Sequence, residues 1–178
     1  MKKQICFLLL ICIAVLMGCS KEETFEDFFP KTMEKMHKGE KDFSYSIIYK
    51  EMNVVHKNDA IAIFIENNSH EEKIFIGYFE KENNKWNWKR TRGAEWDSRL
   101  NWSSMNQVPY IYSGAINDNA ISEVYAGDEL AKIIEVDSNK RFWYAISDAK
   151  DVQVKVVKND GTQEVIEQID KASIKAEY

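Results

Sequence analysis

From Tyr45 onward the chain is a succession of short β-branched and aromatic runs, each closed by a cluster of Asn, Asp or Gly. Such runs read as strands and such clusters as turns. Ala60 to Ile65 and Ile74 to Phe79 are apolar at both odd and even positions, which predicts central strands covered on both faces. Gly77, inside the second run, marks a bulge or a close approach to the backbone. Further strands are predicted at 44–50, 85–92, 110–116, 121–125, 131–136, 141–147, 152–158 and 162–166, and residues 168–175 suit either strand or helix. The intervening Asn83-Asn84, Asn117-Asp118-Asn119, Gly127-Asp128, Asp137-Ser138-Asn139 and Asn159-Asp160-Gly161 offer residues that tolerate positive φ. Strands at this spacing predict a single all-β domain, an antiparallel two-layer sandwich or partly open barrel.

The N-terminus follows a different logic. Lys2 and Lys3 precede an apolar run from Ile5 to Met17 that is interrupted only by two cysteines. About 20 apolar residues are needed to cross a bilayer as a helix, so this shorter run reads as a signal peptide rather than a permanent span. It ends in Leu16-Met17-Gly18-Cys19, which resembles the lipobox of bacterial lipoproteins. The resemblance implies removal of residues 1–18 and a diacylglyceryl thioether on Cys19. The chain would then sit at the outer face of the cell membrane, its partner there being the lipid bilayer. Two or more acyl chains hold a protein stably where one does so only marginally. With the lipobox, the segments Tyr110 to Ile116 and Arg141 to Tyr144 make the chain similar to small uncharacterised lipoproteins of the Bacillus type, a resemblance that implies no activity and no site residues beyond Cys19.

On this reading Cys6 and Cys12 leave with the signal peptide and Cys19 carries lipid, so the mature domain has no thiol for a disulfide, a metal site or a nucleophile. Loss of Lys2 and Lys3 leaves about seven more acidic than basic side chains, which argues against nucleic acid as a partner. Residues 19–42 hold the lipidated cysteine, a polar spacer and a short amphipathic helix, and residues 43–178 the β domain. Phe25, Phe28, Phe29, Met33 and Met36 recur near helical spacing. Pro30 suits a first helical position and Gly39 the residue past the end, which predicts a helix at about 30–38, docked on the domain rather than lying on the membrane.

Candidate chemistry is sparse. Strict alternation from Lys85 to Arg92 puts Trp86, Trp88, Arg90 and Arg92 on one face, where aromatic plates beside guanidinium groups could bind sugars or anionic wall polymers. The competing reading has the tryptophans in the core and the arginines at a solvated strand end. Between the two halves of the domain, residues 93–108 show neither period and carry Trp96 and Trp102, which predicts a loop packed across the sheet mouth and adds both residues to the candidate ligand surface. Phe142 and Tyr144 alternate with Trp143 and read as core on both faces. His37, His56 and His70 are scattered. The chain lacks a zinc-binding HExxH, a phosphate-cradling glycine loop and a nucleophile elbow. Ser69-His70-Glu71 reads as a polar turn, since consecutive strand residues alternate faces and cannot converge. No metal site and no cofactor are expected. These features favour a non-enzymatic binding module at the membrane–cell wall interface, with a wall polymer or a membrane or secreted protein as partner. The alternatives are a wall-glycan hydrolase using Glu95 and Asp97 as acid and base, or an accessory subunit of a membrane complex.

Overall fold

The computed structural model describes residues 22–69, 71–96, 100 and 102–166. A helix, α1 (Phe25–Met36), precedes twelve strands in three antiparallel sheets. The first sheet is a meander of β1 (Ser44–Met52), β2 (Asp59–Asn67), β3 (Glu72–Glu82) and β4 (Lys85–Ala94). The second runs, in spatial order, β5 (Ser103–Met105), β6 (Tyr110–Ile116), β10 (Arg141–Ser147) and β9 (Lys132–Glu135). The third runs β12 (Gln163–Ile166), β11 (Val154–Lys158), β7 (Ile121–Ala126) and β8 (Glu129–Leu130). The fold is therefore all-β with a leading helix, as the strand texture indicates, and the sandwich carries a third sheet.

Alternation along the strands sets the layers. In β2 and β3, Ile61, Ile63, Ile65, Ile74, Ile76 and Tyr78 face the second sheet, where they meet Met105, Ile111, Ala115, Phe142 and Tyr144. The intervening Ala60, Ala62, Phe64, Phe75 and Phe79 face the helix. The second sheet is likewise used on both faces: Tyr112, Trp143 and Ala145 point the other way, onto Val124, Ala126, Val154 and Val156 of the third sheet. The order is helix, first sheet, second sheet, third sheet. Phe142 and Tyr144 on one side and Trp143 on the other are core, as alternation predicts. Gly77 is a site of close approach: a Cβ there would lie 2.7 Å from the Phe79 ring.

The helix begins five residues before the expected start. Thr24 caps it, its side chain accepting from the Asp27 N–H at 3.1 Å, and Glu26 and Asp27 suit the positive end of the dipole. Pro30 therefore lies inside the helix, on its exposed side, where solvent can serve the carbonyl that loses a donor. What holds this register is the stripe Phe25, Phe29, Met33, spaced four apart and buried on the first sheet. The helix docks on the domain, as expected. Phe29 stacks at 5.5 Å on Trp88 and meets Phe64 edge-on at 5.2 Å.

Two expected boundaries shift for reasons of pairing. The expected 131–136 strand shortens to Lys132–Glu135, paired with β10, because Ala131 donates its N–H to the Val124 carbonyl at 2.8 Å and so continues the preceding Glu129–Leu130, which pairs with β7 in the third sheet. The 93–108 segment contains the end of β4 and the whole of β5, and its two tryptophans serve different layers. Residues 168–175 lie outside the described residues.

Candidate functional site

The four-residue face on β4 does not form. Opposite β4, Phe79 pairs with Trp88 but Tyr78 pairs with Arg90, so Lys89 is an extra residue and the strand changes parity at that bulge. Trp86 and Trp88 face the helix. Trp86 is 6% exposed and meets Phe25 edge-on at 5.3 Å; Trp88 packs on Phe79 at 4.8 Å and donates from Nε1 to Thr91 Oγ1 at 3.3 Å. Arg90 and Arg92 turn toward the second sheet. Arg90 lies over the Tyr78 ring at 5.2 Å and donates to the carbonyls of Gln107 and Val108. Arg92 donates from Nε to the Ser104 carbonyl at 3.0 Å. Both guanidinium groups thus tie β4 to the backbone of β5 and of the turn that follows it.

Trp96 packs half-buried against the first-to-second sheet core under the Lys140 ammonium, 5.2 Å from its ring. Trp102 is 6% exposed in the second-to-third sheet core and donates to the Ile166 carbonyl at 3.1 Å. The six candidate side chains are therefore divided among three interfaces instead of sharing one surface. Glu95 is exposed just past β4, whereas Asp97, His70 and Cys19 lie outside the described residues. Asn68 and Glu71 close the β2–β3 turn by a backbone bond and a side-chain bond, both 3.1 Å, consistent with a polar turn at Ser69 to Glu71. Among the described residues no three His, Cys, Asp or Glu side chains converge to hold a metal ion.

Two polar centres escape a reading by motif. Asp59, fully buried at the start of β2, accepts from the N–H groups of Val54, Val55 and His56 and from the Tyr78 hydroxyl at 3.1 Å. It closes the β1–β2 loop, and its only signal in the sequence is a carboxylate opening an otherwise apolar strand. The second centre lies where β1 meets the second sheet. Here a bulge at Ile48, between the Ile47–Phe64 and Tyr49–Ile63 pairs, turns Tyr49 and Glu51 inward. Glu51 accepts from Tyr49, from Tyr144 and, at 2.8 Å, from Lys132. Those donors, Lys132 first and then Tyr144 and Tyr49, hold its carboxyl down at about 2. With every group engaged in holding two sheets together, this cluster is a latch.

Among the described residues nothing covers the outer face of the third sheet. Cross-strand pairing sets Leu130, Tyr125, Lys155 and Val165 in one row and Glu123, Val157 and Gln163 in the next. Leu130 and Val165 are 60% and 49% exposed, unlike the flanking Val154 and Val156 on the inner face. A shallow groove of about 270 Å³ runs over this face, lined by Glu123, Tyr125, Gly127, Asp128, Lys155, Val157 and Gln163. The Tyr125 hydroxyl donates to Glu123 at 2.8 Å, and that bond raises the pKa of the phenol. Lys73, Lys81, Lys140 and Lys158 are also half-buried, and each holds a carboxylate within 2.8 Å. Lys155, equally half-buried, holds none among the described residues. The groove therefore joins an aromatic plate, an ammonium that holds no carboxylate among the described residues, two carboxylates and an amide. No protein-family model, no curated protein and no solved structure matches this chain.

Proposed function

We propose that the chain is a membrane-anchored extracytoplasmic lipoprotein whose β domain is a non-enzymatic binding module working between membrane and cell wall. The observation that carries this reading is the apolar leader ending in Leu16-Met17-Gly18-Cys19, followed after only two residues by a fixed point on the domain. Glu22 pairs with Lys81 at 2.7 Å and Glu23 accepts from the Trp86 N–H at 3.0 Å. Three peptide units span at most roughly 10 Å, so a lipid on Cys19 would hold the β3–β4 end of the first sheet close to the bilayer. The outer face of the third sheet, which no described residue covers, lies on the far side of the stack, two layer spacings or roughly 20 Å from the first sheet at about 10 Å each.

The test is incorporation of labelled palmitate in cells producing the chain, with co-sedimentation of the purified full chain on isolated cell walls. Label present in the wild type and lost in Cys19→Ala, with saturable wall binding, supports the reading. Equal labelling of both chains removes the anchor, and absence of wall binding removes the wall-facing module.

A further inference from the structure

We propose that the outer groove of the third sheet binds an uncharged saccharide, with the ring of Tyr125 as the stacking plate. This rests on, and deepens, the reading of the domain as a binding module. Sugar hydroxyls donate and accept at once, so a site for them needs both kinds of partner around an apolar platform. The groove has both. Lys155 offers three N–H donors and Gln163 two, while Glu123, Asp128 and the Gln163 carbonyl accept. Tyr125 sits between Leu130 and Lys155 in its row, and Val157 lies in the adjacent row, so the C–H face of a sugar ring meets aromatic and aliphatic surface.

Charge narrows the ligand class. Glu123 and Asp128 outnumber the one lysine lining the groove, and the chain as a whole is acidic. An anionic polymer therefore meets repulsion, and a neutral glycan does not. Lys155 is better matched to hydroxyl or N-acetyl oxygens than to a phosphate, because the carboxylates that share its groove already offset its charge. The Tyr125 hydroxyl is held by Glu123, which fixes the ring before a ligand arrives and lowers the ordering cost of binding.

The experiment is calorimetric titration of the full chain in detergent micelles with chitopentaose, at low and high salt, and with poly(glycerol phosphate) in parallel. The expected result is saturable binding of chitopentaose with little salt dependence. Tyr125→Ala should weaken it about tenfold, the loss of one aromatic contact, and Tyr125→Phe, which keeps the ring, should weaken it much less. If Tyr125→Ala lowers the melting temperature, Lys155→Met and Gln163→Ala on the same face carry the test. Absence of chitopentaose binding, equal binding by all variants, or preferential salt-sensitive binding of poly(glycerol phosphate) overturns the proposal. Wall binding that survives Tyr125→Ala sinks the groove alone and leaves the module standing; wall binding by neither protein sinks both.

Discussion

In the first sheet Ala60, Ala62 and Phe64 face the helix while Ile61, Ile63 and Ile65 face the second sheet; in the third, Val154 and Val156 face inward while Lys155 and Val157 face water. Both sheets are antiparallel and four strands wide. They differ in how many faces the described residues cover, and that decides what an aromatic side chain on each can do. Trp86 and Trp88 stand on a covered face and are consumed by Phe25, Phe29 and Phe79. Tyr125 stands on a face that no described residue covers, and it lines a groove there. A tryptophan is the stronger ligand-binding residue by type, yet here the tyrosine has the access. Aromatic content therefore points to a ligand only after the faces of its sheet have been counted.

The two outer strands of the first sheet carry a second part of the comparison. Bulges at Ile48 in β1 and Lys89 in β4 each reverse the parity of the residues that follow, turning Glu51 on one edge and Arg90 and Arg92 on the other toward the second sheet. Inward-pointing charge and a bulged edge both discourage pairing with another chain. The third sheet has its bulge at Ser122 of the interior strand β7, opposite Val157 and Lys158, and no described residue covers its outer face. Deleting Lys89 is the most severe way to break the contrast. Without it Arg90 and Arg92 swing onto the aromatic face beneath the helix, and Thr91, Gly93 and Ala94 lose their places. The deletion should abolish the cooperative thermal transition in a circular dichroism melt, while Lys89→Ala, which keeps the bulge, should melt close to wild type. Two similar melts would show that the parity reversal is not what keeps the guanidinium groups out of the helix interface.

The next largest effect compares the covered and bare faces directly. Phe29 is fully buried among Phe25, Phe64, Phe79 and Trp88, so Phe29→Ala should cost about 3–5 kcal/mol in urea unfolding. Tyr125→Ala on the bare face should leave the urea midpoint at its wild-type value. A destabilisation by Tyr125→Ala comparable to that of Phe29→Ala would mean that the third sheet's outer face is covered, and the groove would lose its claim to a ligand.

Most of the strands are legible in the sequence because their limits coincide with turn residues: Tyr110–Ile116 and Arg141–Ser147 fall where Asn, Asp, Pro and Ser place them. The double-sided runs of β2 and β3 likewise announce a sheet covered twice. What local pattern cannot reveal is any feature decided by a partner strand. The bulge at Lys89 depends on register against Tyr78 and Phe79, and no residue type marks it. The division of 129–135 between two sheets depends on the Ala131 bond to Val124. The helix start was available in principle, since Thr24 with Asp27 is a capping pattern. Pro30 suggests a later start only if its exposed position inside the helix is left out of account. For the site, Trp86 and Trp88 stand out by residue type, whereas Tyr125 lies in a run that alternates between Val124 and Ala126 and carries no signal apart from its cross-strand neighbour Lys155 and the adjacent Val157.

The smallest expected effect concerns the β1 edge of the covered sheet. Glu51 has its carboxyl held at about 2 against an ordinary value of 4.5. A carboxyl lowered on folding contributes stability that is present above the unfolded value and is lost as pH falls through the folded one. For Glu51 that window runs from about 4.5 down to about 2. Its side chain is 35% exposed and that of Lys132 49%, so water screens the ion pair and its contribution is modest. Glu51→Gln can still accept from Tyr49 and Tyr144 but loses the charge that Lys132 answers. The melting-temperature difference between wild type and Glu51→Gln should therefore be constant near neutrality and close as pH falls across that window. Other carboxyls lowered on folding, Glu22 and Glu26 among them, are common to both proteins and cancel in the difference. A difference that persists unchanged to the acid end would assign the latch to the geometry of the two phenols, with Lys132 a bystander, and the β1 edge would be held shut by the same neutral contacts at every pH.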